Sequence, residues 1–194
     1  VGRDRVFIRD KSIRDTDNVP LLGITTKLQI NTAIKHKCIE VLQQSKYQNH
    51  CNEVIIIMQT EWPFNTMWKN IGNERVVGVN KEYYSICKEN KLNSLVAIHN
   101  HPNSTGLSGQ DMHRLIENDA LIAVIAVGNC GDRAFAMIKN ENYNKDSANN
   151  YINEFKIVPG ENGDQYYERL ANGIKQNLTT LGLDYVTNPY WRQP

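Results

Sequence analysis

The segment of this 194-residue sequence best equipped for chemistry is Ile98-His99-Asn100-His101-Pro102-Asn103-Ser104-Thr105-Gly106-Leu107-Ser108-Gly109-Gln110-Asp111. Side chains two apart on a strand share a face, so His99 and His101 can aim both imidazoles at one point while Asn100 faces away. Pro102 ends that strand because it has no N–H for the ladder, and the small, polar residues after it let the chain reverse. The first turn of the next helix then returns over the strand end, which makes Asp111 available as a third donor. Two neutral imidazoles and one carboxylate are a common catalytic set for Zn2+, because they leave the fourth tetrahedral position to water. Lowering the pKa of that water from about 15.7 to about 7 is worth roughly 12 kcal/mol.

A water-activating site also needs a proton acceptor beyond the metal ligands. Glu53, at the mouth of an apolar strand, is the best-placed acid, with Glu61, Glu74 and Glu82 as rivals. Ser108 can donate a hydrogen bond to the oxyanion formed when water attacks a carbonyl. Plainer readings stand beside these. Ser108-x-x-Asp111 ahead of Met112, Leu115 and Ile116 is a capping-box pattern; the histidines can be hydrogen-bonded groups at a strand end; Glu53 can be a solvated strand-opening charge. His36, His50 and His113 have no ligand-like partner at suitable spacing and read as structural or surface residues. Trp62, Phe64 and Trp68 read as loop packing rather than a base-stacking platform.

The elements that must position these residues follow from hydrophobic period. Apolar residues recur at helical spacing from Ile30 to Leu42, predicting an amphipathic helix over 25–48 that covers a sheet. Glu53–Met58 and Leu95–His99 read as buried strands, Arg75–Val79 as a further strand after a loop holding the tryptophans, and Lys81–Lys91 as a short helix. A helix is predicted from Ser108 to about Asn118, then a hairpin of Leu121–Val127 with Arg133–Ile138, and a terminal helix over Asp164–Leu181. The sum is a single α/β domain with a mixed β-sheet flanked by helices, at residues 26–140. Before it lies a 1–25 extension whose charges neutralise one another and which reads as a solvated extension or edge segment, and after it a polar, helical extension at 141–194.

Composition bounds the partners. With 40% hydrophobic and 22% charged residues and no apolar run near the roughly 20 a membrane span needs, the chain reads as globular, with no membrane partner. Twenty-two Lys and Arg against 21 Asp and Glu leave a net charge of +1, so no global field draws nucleic acid. Cys38, Cys51, Cys87 and Cys130 are too scattered for a disulfide scaffold and read as reduced, mostly buried thiols; with no charged and apolar leader at Val1, the expectation is a cytoplasmic protein.

Glu53, His99-x-His101-Pro102 and Ser108-x-x-Asp111 together resemble the JAB/MPN (JAMM) metalloprotease family, and the wording His-Asn-His-Pro with the preceding Val77–Ile98 run is most similar to its bacterial RadC-like branch. The likeness covers about residues 30–140. Nine residues separate His101 from Asp111 where the commoner family form has ten, a shortening that Gly106 and Gly109 make sterically easy. The resemblance implies a cytidine-deaminase-like sheet arrangement, zinc held by His99, His101 and Asp111, Glu53 as the base that deprotonates water, and Ser108 stabilising the tetrahedral intermediate. It implies a protein or peptide substrate cleaved at a peptide or isopeptide bond. The alternative is a non-enzymatic RadC-like module that binds protein or DNA around a structural metal. Length argues against a metal-dependent (β/α)8 barrel with H-x-H at a strand end, since such barrels typically need about 250 residues.

Overall fold

The apolar runs at β1 (Val54–Gln59), β3 (Leu95–His101) and β4 (Leu121–Gly128) form the inner strands of a sheet whose faces are both covered. The structure, a computed structural model, describes residues 6–18, 28–73 and 77–187. Six strands stand in the order β2-β1-β3-β4-β5-β6, with β2 at Thr66–Ile71, β5 at Ala134–Lys139 and β6 at Leu183–Thr187. Only β3 and β4 run parallel, joined by the crossover helix α4 (Gly109–Glu117); the other neighbours are antiparallel. This is the expected mixed sheet flanked by helices.

Period-2 alternation sorts the strand residues into two cores. Val54, Ile56, Met58, Val96, Ile98, Ala123 and Ile125 face α2 (Leu28–Gln48), on which α1 (Asp10–Asn18) packs. Ile55, Ile57, Leu95, Ala97, Val124 and Ala126 face α3 (Lys81–Glu89) and α4, with α5 (Lys145–Glu154) and α6 (Gly163–Gln176) behind. Each fully buried Ile or Leu contributes about 1.5–3 kcal/mol relative to exposure, which makes the sheet a rigid floor for whatever its strand ends carry. The odd-numbered face of β3 continues from Leu95 and Ala97 to His99 and His101. Asn100 points to the other face, where its side chain accepts from the Val54 N–H at 2.8 Å and donates to Ser45 Oγ, Asn52 O and Asn129 Oδ1.

Three expectations are corrected. The second strand is Thr66–Ile71, not Arg75–Val79, whose residues 77–79 are irregular; 74–76 lie outside the described residues. Trp68 therefore belongs to a strand, buried against Tyr83 with ring centroids 5.4 Å apart, because Thr66-Met67-Trp68-Lys69 alternates as an edge strand requires; Trp62 is solvent-exposed. The first residues are not a solvated extension throughout. Ile8 is buried beside α2, and α1 is tied down by the Thr16 hydroxyl donating to Ser12 O and Gly131 O and by Asp10 pairing with Lys46 and Tyr47; the parts before residue 6 and over 19–25 lie outside the described residues. The C-terminal segment carries the expected helix, split into α6 and α7 (Leu178–Leu181), and adds α5 and β6. Gly182 caps α7 at φ 66° and turns the chain into β6, which pairs with β5.

Helix α4 is locked against α6 at its first residue. A Cβ on Gly109 would stand 2.1 Å from the Tyr167 carbonyl oxygen, so no side chain fits without moving backbone. Gly109→Ala is expected to destabilise the fold by about 2–3 kcal/mol, a melting-temperature drop of roughly 5–10 °C by circular dichroism; an unchanged melt would show the contact to be loose.

Candidate metal centre

The β3 end and the first turn of α4 bring His99, His101 and Asp111 together, all three buried. His99 Nε2 lies 2.9 Å from His101 Nε2, Asp111 Oδ1 is 3.3 Å from His99 Nε2, and Asp111 Oδ2 is 3.4 Å from His101 Nε2. Donors held about 2.0–2.1 Å from a tetrahedral zinc stand roughly 3.3 Å from one another. Two of the separations match that spacing and the Nε2–Nε2 contact is shorter, so the three side chains could hold one ion once the two rings part slightly, and among the described residues no fourth His, Cys, Asp or Glu joins the group.

Asp111 is fixed by the helix it opens. Ser108 is the N-cap of α4: its backbone N–H and its hydroxyl both donate to Asp111 Oδ2, at 2.8 and 2.6 Å, while the Asp111 N–H donates back to Ser108 Oγ at 3.2 Å. This is the capping box read from the sequence, and it commits the Ser108 hydroxyl to Asp111. Oδ1 is left facing His99. Burial pushes the Asp111 carboxyl up, but the charges of His99 and His101 and their hydrogen bonds overrule burial and hold it well below the usual carboxylate range.

The imidazoles are oriented unequally. His101 Nδ1 lies 3.0 Å from the Thr105 carbonyl oxygen, a partner that assigns the proton to Nδ1 and turns the Nε2 lone pair inward. With His101 Nε2 as acceptor, the 2.9 Å contact makes His99 Nε2 the donor and leaves His99 Nδ1 buried without a hydrogen-bond partner among the described residues. A cation between the rings would replace that shared proton. Burial lowers the pKa of His101, yet the ion pair with Asp111, followed by the charge of Glu53, outweighs it and lifts the imidazole above its ordinary value.

Glu53 stands where the sequence placed it, one residue before β1 and on the same face as Ile55, which pairs with His99. It is 9% exposed; burial raises its pKa, opposed by the charges of His99 and His101 and by the Val77 N–H that donates to it, and reinforced by Asp111. Its carboxyl therefore shares an electrostatic environment with all three donors while remaining outside their cluster. Among its rivals, Glu61 is exposed opposite Lys91, Glu82 is exposed in the first turn of α3, and Glu74 lies outside the described residues. His113 pairs with Glu117 at 3.1 Å on the helix surface, as a structural residue would, and all four cysteines are free.

Two nearby residues escaped the sequence reading. Tyr185 on β6 sets its hydroxyl against Gly106, where a Cβ would come within 2.8 Å, so β6 abuts the loop between His101 and Asp111. Arg114, one helical turn after Asp111, places Nη1 4.0 Å from Asp111 Oδ1. Its i,i+3 spacing from Asp111 was the available signal.

No protein-family model, no curated protein and no solved structure matches the chain. Among the described residues no helix is long and apolar enough to cross a membrane.

Metal and proton compete for the same imidazole nitrogens, and a raised His101 pKa extends that competition to higher pH. The apparent zinc affinity, read by competition with a chromophoric chelator from pH 5.5 to 8.5 and corrected for the chelator's own protonation, is therefore expected to rise with pH by about tenfold per unit for each imidazole proton displaced and to level off at the top of the range. A flat profile would remove both imidazoles from the donor set.

Proposed function

We propose that this protein is a zinc-dependent hydrolase that cleaves a peptide or isopeptide bond, with Glu53 as general base and His99, His101 and Asp111 as the metal ligands. The observation that carries the proposal is the convergence of three buried donors, the full set among the described residues, within 3.4 Å of one another and beside a buried carboxyl that is not one of them. A structural zinc site would close with four. The resemblance of Glu53, His99-x-His101-Pro102 and Ser108-x-x-Asp111 to the JAB/MPN pattern adds to this reading.

When bound, zinc supplies Lewis acidity, bringing a water molecule to a pKa near neutrality and polarising a carbonyl. The protein's own groups do the rest. Burial that raises the Glu53 pKa makes its carboxylate a more willing proton acceptor, and the Val77 N–H holds that carboxylate in place. Once protonated, Glu53 can return the proton to the leaving amine. Ser108 positions Asp111 through two hydrogen bonds, and its Oγ, at the rim of the donor cluster, is the hydroxyl available to an oxyanion if it turns from Asp111.

The test compares wild type with Glu53→Gln and Asp111→Ala for zinc content, by mass spectrometry, and for hydrolysis of a mixed peptide library. Glu53→Gln is expected to keep about one equivalent of zinc and to lose hydrolysis by about 10²–10⁴-fold, whereas Asp111→Ala loses the metal as well. Wild-type protein without zinc, or Glu53→Gln hydrolysing at the wild-type rate, would overturn the assignment. Zinc bound with no hydrolysis in any protein would favour the non-enzymatic module.

A further inference from the structure

The Arg114 side chain is only 16% exposed, and among the described residues its guanidinium makes no hydrogen bond; its one ion-pair contact is Asp111 Oδ1, at 4.0 Å. A guanidinium carries five N–H donors in a planar fork, and leaving such a cation largely desolvated without an acceptor is unfavourable. None of its nitrogens belongs to the fully buried, unpartnered polar atoms, so the fork is reachable from solvent. Its charge reaches Tyr83 and Cys87 of α3, and its 4.0 Å approach to Asp111 sets it beside the candidate metal centre. Asp111 does not satisfy it, because the same carboxylate faces His99 and His101 at shorter range.

We infer that Arg114 receives a carboxylate of the substrate, the free C-terminal carboxylate of the residue that follows the scissile bond. This inference rests on the proposed hydrolase reading and names the substrate class for it. The chemistry favours a carboxylate because carboxylates are the anions an unmodified peptide offers, and the planar fork matches one bidentately. Proximity favours the C-terminus. From Nη1 the steps to Asp111 Oδ1 and on to His99 Nε2 are 4.0 and 3.3 Å, the scale of a single residue, and the α-carboxylate of a C-terminal residue is separated from the scissile nitrogen by one Cα alone. An Asp or Glu side chain is the other source of the same group.

Three non-hydrolysable ketomethylene analogues of acetyl-alanyl-alanine separate these sources: one with a free C-terminal carboxylate, one with a C-terminal amide, and one with the amide plus an acidic side chain. Zinc affinity is measured first, then calorimetric binding of each analogue to wild type, Arg114→Gln and Arg114→Lys. The free acid is expected to bind zinc-loaded wild type at least tenfold more tightly than its amide. In Arg114→Gln that advantage falls below twofold while zinc affinity is unchanged or tighter, since a cation beside a metal ligand has been removed; Arg114→Lys keeps the charge and part of the preference. Equal binding of acid and amide by wild type, survival of the preference in Arg114→Gln, or a preference confined to the acidic side chain would each overturn the inference. If wild type binds no zinc, the hydrolase reading fails by itself. The same analogues on the metal-free protein then decide the role of Arg114, where an acid preference lost in Arg114→Gln supports it and no preference overturns it.

Discussion

One carboxylate holds the site and the fold together. Asp111 is the third residue of α4, where its Oδ2 completes the capping box with Ser108, and it is also the group toward which both imidazoles of β3 turn. A helix N-terminus favours negative charge, so the carboxylate is stabilised by the same end of α4 that aims it. Its position depends in turn on how closely α4 approaches its neighbours, which Gly109 sets against α6. The crossover from β3 to β4 is thus a single device, ending a strand with two imidazoles and starting a helix with their partner.

The second constraint is the price of burying this many polar groups side by side. His99 and His101 stand in contact through like atoms, and one nitrogen of His99 has no partner among the described residues. An apolar packing of the same volume would avoid that penalty, so the arrangement is a weak device for stability and a good one for holding a cation. The Asn100 network on the opposite face behaves differently. Asn100 and Asn129 are fully buried yet linked to each other, and Asn129 reaches the Val6 and Cys51 carbonyls as well. That satisfied network fixes the strand from behind while the unsatisfied side faces the site.

How much of this could be read from the sequence depended on how strong the local signals were. The inner strands were legible because Val54–Met58, Leu95–Ile98 and Leu121–Val127 are continuous apolar runs, and α4 because Ser108-x-x-Asp111 precedes an apolar helical stripe. His99, His101 and Asp111 were brought together by period and by the turn after Pro102, and the structure places them so. What was missed lies at the edges. Strand β2 alternates polar with apolar residues over six positions, and tertiary packing of Trp68 on Tyr83 decides its place where the stronger β-branched signal at 75–79 misled. Helix α1 is nearly all polar, and α5 buries only Ala148 and Ile152, so neither has a stripe that period alone can reveal. Arg114 is invisible for another reason: nothing in a sequence tells a solvated arginine from one whose fork finds no acceptor.

Strand β6 gives the architecture a seam. Because Leu183–Thr187 hydrogen-bonds along β5 from Phe135 to Lys139, the last described stretch of chain closes an edge that would otherwise present a row of open N–H and C=O groups. A polypeptide ending near Asn140 would keep His99, His101 and Asp111, yet it would lose Leu170, Ile174 and Leu183 from the core and bare the flank of β5. Naked β flanks invite pairing with other molecules, so such a fragment would tend to self-associate and aggregate.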